Sequence, residues 1–273
     1  MQKKKVKFVQ MSSAENYFTI IENKELCGAE IREISKITHC DQLLILFPSA
    51  EANIRVEIYN KDGSEANACG NAMCCVTHYL YGKTTIETKS GIRLGELNKE
   101  VTVNMGQPRI FSDFDEDFSL FPMGMRVREI YNEISTYYNF DEYPRFVNVG
   151  NPHLLFKTEN LPNDEMLRLI GRNINERKDL FPEGVNITFY NRTDWDEDED
   201  YCCSSSKDIY AIVYERGVGI TKSCGTAACA ISAIEGDASI KFKYAPKIEV
   251  KKVHGDIFLK STVKYHNTGV LEI

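Results

Sequence analysis

Two cysteines carry the strongest chemical pattern in this sequence. Cys69 opens the run Cys-Gly-Asn-Ala-Met-Cys, and Cys224 opens Cys-Gly-Thr-Ala-Ala-Cys. A tyrosine stands ten residues before each, Tyr59 and Tyr214. Each copy reads as strand, loop, Cys-Gly, helix. A thiol at a helix mouth meets the positive end of the helix dipole and a set of unpaired backbone N–H groups, which favour an anion and so a thiolate. The glycine lets a ligand approach the backbone, and the same N–H groups can hold a carboxylate. A thiolate beside a bound carboxylate is placed to take a proton from the adjoining carbon. Two such segments facing one another would invert that carbon: one thiolate removes the proton, and the opposing thiol returns a proton to the other face. Two helix N-termini aimed at the carboxylate would stabilise the developing charge in a dry site. The active form then needs one thiol and one thiolate, a coupled pair. Packing alone does not call for Cys before Gly at a helix mouth.

The elements that must position these residues follow from the patterning. Val6 to Gln10, Phe18 to Ile21, Gln42 to Phe47 and Ile54 to Tyr59 read as strands, rich in apolar and β-branched residues. Helices are expected over Glu30 to Ile37, Gly70 to Leu80 and Gly225 to Ile234. Further strands are expected at Thr85 to Thr88, Arg93 to Glu96, Val101 to Met105 and Ile209 to Tyr214, and again from Ser239. The repeat predicts two similar domains, not a solenoid. The acidic stretch Ser112 to Asp117 is the candidate boundary.

Composition removes several classes. With 273 residues and a net charge of −7, the chain lacks the basic face a nucleic acid would favour. Its longest apolar runs, such as Leu43 to Phe47, are far shorter than a membrane span. The basic start lacks the apolar stretch of a secretion signal, so a cytoplasmic protein is expected. Nine cysteines, an odd number with no Cys-x-x-Cys pair, fit neither a disulfide scaffold nor a zinc ribbon. Cys74, Cys75 and Cys229 read as core of the predicted helices. Cys27, Cys40, Cys202 and Cys203 carry no motif. Asp194, Asp196 and Asp198 have the spacing of a calcium loop, but Glu199 and Ser205 occupy positions that need Gly and Glu, so no metal site is expected. The acidic, serine-rich Thr193 to Lys207 reads as a solvated loop.

Taken together, these segments resemble the diaminopimelate epimerase family. Asn60-Lys-Asp-Gly-Ser-Glu, followed by Cys69-Gly-Asn71, resembles its first cysteine motif. Glu215-Arg-Gly-Val-Gly-Ile-Thr-Lys-Ser-Cys224-Gly-Thr226 resembles its second. Met11 to Phe18 is similar to the family's N-terminal Met-His-Gly-x-Gly-Asn-Asp-Phe, with Asn16 on the family Asn. Asp41-Gln42-Leu-Leu, Gly150-Asn151-Pro152-His153 and Val185-Asn186 match further segments. The likeness runs through nearly the whole chain, in order.

The resemblance implies an α/β (α+β) fold of two pseudo-symmetric domains, each a mostly antiparallel sheet or barrel around a central helix, with the site between them. The expected domains are 1–112 with about 263–273, and about 118–262. It implies a cofactor-independent epimerase interconverting L,L- and meso-diaminopimelate, usually a homodimer, with no metal. Cys69 and Cys224 are then the acid–base pair, with His153 and Glu215 beside them. Gly70, Asn71, Gly225 and Thr226 would hold the reacting carboxylate. Asn16, Asn60, Asn151, Asn186 and Arg216 would hold the far end, and Gln42 joins the substrate-binding set. A far end bearing an ammonium and a carboxylate suits Arg and several Asn. The chain departs from the family pattern at Ser12, Ser13, Glu15, Tyr17, Ala72, Cys74, Ile220 and Ala227. Two rival readings are a same-fold racemase of another amino acid, and a non-catalytic redox sensor using a Cys69–Cys224 disulfide.

Overall fold

The computed structural model describes residues 4–111, 124–136, 138–140, 142–192 and 207–273. The expected boundary at Ser112 to Asp117, the Asp194 to Asp198 pattern, Cys202 and Cys203 lie outside the described residues. The chain divides into two compact units, Met1–Gly106 with Phe258–Ile273, and Gln107–Ile257.

The first unit holds strands β1 (Lys5–Ser13), β2 (Asn16–Glu22), β3 (Gln42–Phe47), β4 (Ile54–Asn60), β5 (Glu65–Ala66), β6 (Lys83–Thr88), β7 (Gly91–Leu97) and β8 (Val101–Gly106). Its helices are α1 (Gly28–Thr38) and α2 (Gly70–Leu80). The second unit holds β9 (Arg109–Phe111), α3 (Gly124–Ile134), β10 (Arg145–Asn148), β11 (Pro152–Lys157), α4 (Asp164–Glu176), β12 (Asn186–Arg192), β13 (Lys207–Glu215), β14 (Gly219–Thr221), α5 (Gly225–Glu235), β15 (Ala238–Phe242) and β16 (Ile248–Val253). The chain returns to the first unit within β17 (Asp256–Ser261) and ends in β18 (Val263–Glu272), antiparallel to β1.

Both units repeat one plan. An antiparallel hairpin, β1–β2 or β10–β11, leads through an outer helix into a parallel partner: β2 beside β3, and β11 beside β12. An antiparallel strand and a short hairpin strand follow: β4 and β5, or β13 and β14. A second helix then crosses to another parallel partner, β4 to β6 or β13 to β15. The other strand pairs whose register is described are antiparallel, so each unit is a mostly antiparallel sheet with two parallel crossovers.

The two kinds of helix differ in sequence because they differ in surroundings. The outer helices are amphipathic. α1 buries Ile31, Ile34, Ser35 and Thr38, and α4 buries Leu167, Ile170, Gly171 and Ile174, the same i, i+3, i+4, i+7 stripe in each. α4 is capped by Asn163, whose Oδ1 accepts from Met166 N at 2.9 Å. The stripes pack on Val6, Ile21, Leu43 and Ile45 in one unit, and on Leu154, Phe156, Ile187 and Phe189 in the other. Each such side chain contributes about 1.5–3 kcal/mol on burial. Tyr59 and Tyr214, the repeated tyrosines, pack against these outer clusters. The ring of Tyr214 lies where a Cβ on Gly171 would come to 2.4 Å from it, so only glycine allows α4 to approach β13 there.

α2 and α5 instead carry small and apolar residues all round, as befits a helix enclosed on every side. α2 is buried continuously from Gly70 to Thr77, α5 from Gly225 to Ala233. α2 touches β1, β2, β6, β7, β8 and β18, and α5 touches β10, β11, β15 and β16. Each sheet therefore wraps its own central helix.

Candidate active site

Cys69 is the N-cap of α2 and Cys224 the N-cap of α5. Their backbones match, at φ −150°, ψ 114° and φ −142°, ψ 113°. This extended conformation just before the first helical turn is the usual N-cap geometry. It sets each thiol at the positive end of an eleven-residue helix. Cys69 is half-buried, and Cys224 is 5% exposed. None of the seven described cysteines is in a disulfide. Cys74 and Cys75 lie wholly buried in α2, and burial first, then neighbouring thiols, pushes both up, away from the thiolate. Cys229 is likewise buried in α5.

In the first unit, strand direction gathers the polar residues at one sheet end. Asn16 opens β2, Gln42 opens β3 and Asn60 closes β4. Gln42 pairs with both Phe18 and Asn60 across its two ladders. Gln42 Nε2 donates to Asn60 Oδ1 at 2.9 Å, and Asn60 Nδ2 to Ser64 Oγ at 3.0 Å. The side-chain oxygens of Asn16 and Gln42 are buried with no hydrogen-bond partner among the described residues. Buried acceptors of this kind are costly unless something else fills them. Gly70 and Asn71 form the first turn of α2, and Asn71 is fully buried.

The second unit places the equivalent residues in the same way. His153 on β11 pairs with Asn186, which opens β12, and Glu215 closes β13. Here the side chains form a tight cluster. His153 Nε2 lies 3.0 Å from both Asn151 Oδ1 and Thr226 Oγ1, and 3.4 Å from Asn186 Nδ2. Asn151 Nδ2 donates to Thr226 Oγ1 at 3.2 Å. Thr226 Oγ1 is also 3.2 Å from Cys224 Sγ. Asn186 Oδ1 accepts from Arg216 N at 3.0 Å. Burial first, then the Arg216 charge, lowers His153 to about 3, so its ring is neutral at ordinary pH and works here by hydrogen bonding.

Arg216 is half-buried and reaches Glu183, with Nη1 3.3 Å from its carbonyl oxygen and 3.5 Å from Oε2. Glu215 Oε1 accepts from Thr221 Oγ1 at 2.6 Å. Thr221 and Ser64, the hydroxyls that hold Glu215 and Asn60, carry no motif of their own in the sequence. Their one mark is that both lie within the segments leading to the two cysteines. Where the first unit has the neutral Asn60, the second has an acid. Where the first has Phe18, the second has His153. The two half-sites thus share a frame but differ in chemistry.

Comparison with known proteins agrees with this repeat. The family model described as diaminopimelate epimerase matches residues 6–111 and 145–270. A diaminopimelate epimerase of Rhizorhabdus wittichii is 35% identical over 243 residues, covering 84% of this chain and 80% of that protein. One from Sphingopyxis alaskensis is 32% identical over 237 residues, covering 82% and 79%. Among solved structures, a protein from Pseudomonas aeruginosa described as a predicted epimerase matches with a TM-score of 0.66 at 14% identity, over 97% of this chain and 99% of that one. A hydroxyproline epimerase from Agrobacterium vitis matches at 0.64 and 11%, over 100% and 94%. At these identities the structures speak for the fold alone. Among the described residues no helix is long and apolar enough to cross a membrane. The chain belongs to the diaminopimelate epimerase family.

Proposed function

We propose that this chain is a diaminopimelate epimerase that interconverts the L,L and meso forms without a cofactor, serving lysine and peptidoglycan precursor synthesis. The observation that carries the reading is the matched pair of cysteine N-caps, one at the mouth of each enclosed helix, in a chain of this family. In this reading the two half-sites close on one substrate. One cysteine, as thiolate, takes the α-proton onto sulfur, and the electron pair delocalises into the carboxylate. The other, as thiol, delivers its proton to the opposite face of the same carbon. One S–H bond forms and one breaks, so the pair ends with its protonation exchanged. The N–H groups at Gly70, Asn71, Gly225 and Thr226 hold the carboxylate in both states.

His153 and Glu215 stand beside the pair as a neutral ring and a carboxylate held by Thr221. The far end of the substrate carries an ammonium and a carboxylate. The unpartnered oxygens of Asn16 and Gln42 suit the ammonium, and Arg216 suits the carboxylate. Asn60, Asn151 and Asn186 complete the set. An amino acid lacking that end would leave these groups unpaired, which is a strong basis for rejection. A homodimer in the cytoplasm is the working form this reading adopts from the family resemblance.

The test is direct. Purified, reduced protein should exchange the α-proton of L,L-diaminopimelate in deuterated water. It should leave proline, hydroxyproline and glutamate unexchanged. Cys69→Ala and Cys224→Ala should each abolish epimerisation with the fold intact. Full activity in either variant, or exchange of the other amino acids at equal rate, would refute the assignment.

A further inference from the structure

The hairpin that carries Asn16 is built on an unfavourable turn. Ser13 pairs with Asn16, and the two residues between them, Ala14 and Glu15, both lie in the left-handed region, at φ 48° and 61°. A two-residue hairpin favours that geometry, but normally with Asn or Gly. A residue with a Cβ is strained there, and the conformation persists only where its surroundings over-determine it. Some of that support comes from β17 and from the residue just before β3. Ser13 Oγ and Ser261 Oγ share a hydrogen bond at 2.8 Å, and Tyr17 N donates to Asp41 Oδ2 at 2.9 Å.

The remaining clamp comes from the far end of the chain. The β1–β18 ladder pairs Gln10 with Asn267 but Met11 with Tyr265, so His266 is the extra residue of a β-bulge. A bulge re-aims a side chain. The His266 ring stacks on Tyr17, centroids 5.2 Å apart and planes 28° apart, and its Nε2 is 2.8 Å from Ser12 Oγ. Ser12 and Tyr17 are cross-strand partners, one step outside the Ser13–Asn16 pair. His266 therefore grips both strands of the hairpin at once. Ser12 and Tyr17 are also two of the positions where this chain departs from the family pattern, so its own side chains make a contact there that the pattern does not supply.

We propose that His266 is a positioning residue: by holding Ser12 and Tyr17 it fixes the strained turn and with it the orientation of Asn16 toward the substrate's far end. The proposal rests on the reading of Asn16 given above. Steady-state kinetics on Asn16→Ala, His266→Ala, Ser12→Ala and the Ser12→Ala/His266→Ala double variant test it, with and without Glu15→Gly. His266→Ala should raise KM for L,L-diaminopimelate about fivefold to tenfold, the size of a lost hydrogen bond, with kcat within about twofold. The double variant should be no worse than His266→Ala. In the Glu15→Gly background, where glycine holds the turn unaided, the KM effect of His266→Ala should fall by at least half. If His266→Ala does not fold, His266→Gln and His266→Phe, which keep the hydrogen bond or the stack separately, should each give a partial KM effect. An unchanged KM in the His266 variants beside a raised KM in Asn16→Ala overturns the proposal alone. So does a loss in kcat without KM, or an effect untouched by Glu15→Gly. An unchanged KM in Asn16→Ala removes the Asn16 assignment itself, and the proposal with it.

Discussion

Thr226 Oγ1 lies 3.0 Å from His153 Nε2 and 3.2 Å from Cys224 Sγ, so one hydroxyl joins a buried neutral imidazole to the thiol at the mouth of α5. The hydroxyl has one proton to give and lone pairs to accept with, which lets it serve sulfur and ring together. Asn151 Nδ2, at 3.2 Å, fixes it from a third side.

Removing that hydroxyl is therefore expected to act on both chemistry and stability. Thr226→Val keeps the shape but leaves the buried imidazole with one partner fewer, a cost of about 1–3 kcal/mol. Urea denaturation should show that loss. The kcat/KM for diaminopimelate should fall by about tenfold or more, since 1.4 kcal/mol corresponds to one factor of ten. Thr226→Ser should restore most of both. Wild-type kinetics in Thr226→Val would show that the hydroxyl does not serve the thiol.

His153 gives the fold a pH dependence of definite sign. Its folded value is lowered from 6.5 to about 3, by burial and then by the Arg216 charge. The unfolded chain thus binds a proton near pH 6.5 that the folded chain refuses. The stabilisation is complete above about pH 6.5 and is lost as pH falls from there toward about 3, with a slope of up to about 1.4 kcal/mol per pH unit. Stability measured across that window should fall less steeply in His153→Gln than in the parent. Equal slopes would mean that the ring is not buried and neutral as described.

The contact between Gly171 and the ring of Tyr214 sets the fit of α4 on β13. A methyl group at 171 would sit 2.4 Å from the ring, and overpacking of this kind costs about 1–3 kcal/mol. Gly171→Ala should lower the denaturation midpoint accordingly. Pairing it with Tyr214→Leu should recover part of the loss. A Gly171→Ala variant as stable as the parent would contradict the packing.

The sequence was most readable where one residue pattern met one kind of surroundings. Gln42–Phe47 is uninterruptedly apolar after its first residue, and Gly70–Leu80 is dominated by small and apolar residues up to Val76; both expected ranges coincide with the observed elements. The Tyr and Cys-Gly repeat also disclosed two units, although its tyrosines turn out to pack the outer helices. No element is expected from the patterning between Arg145 and Arg192, yet that region contains β10, β11, α4 and β12. Its helix was announced by Asn163 and the spacing of Leu167, Ile170 and Ile174. What no local pattern conveys is a partnership between distant parts of the chain. The bond of Ser12 to His266 spans 254 residues, and the meeting of His153 with Thr226 spans 73. Such pairs are set by strand order and register, so the supporting polar contacts emerge only with the fold. The same holds for the turn at Ala14 and Glu15, whose left-handed backbone no residue there advertises.

The central claim is that two separate groups handle the proton, one on each face of the carbon. The most direct measurement is the isotope content of both isomers early in the reaction of L,L-diaminopimelate in deuterated water. Two opposed thiols predict that the newly formed meso isomer carries deuterium at the inverted carbon from the first turnovers, while the remaining L,L substrate carries almost none. A meso product that keeps the substrate's own hydrogen, or deuterium entering both isomers equally from the start, would mean that a single group serves both faces, and would contradict the account.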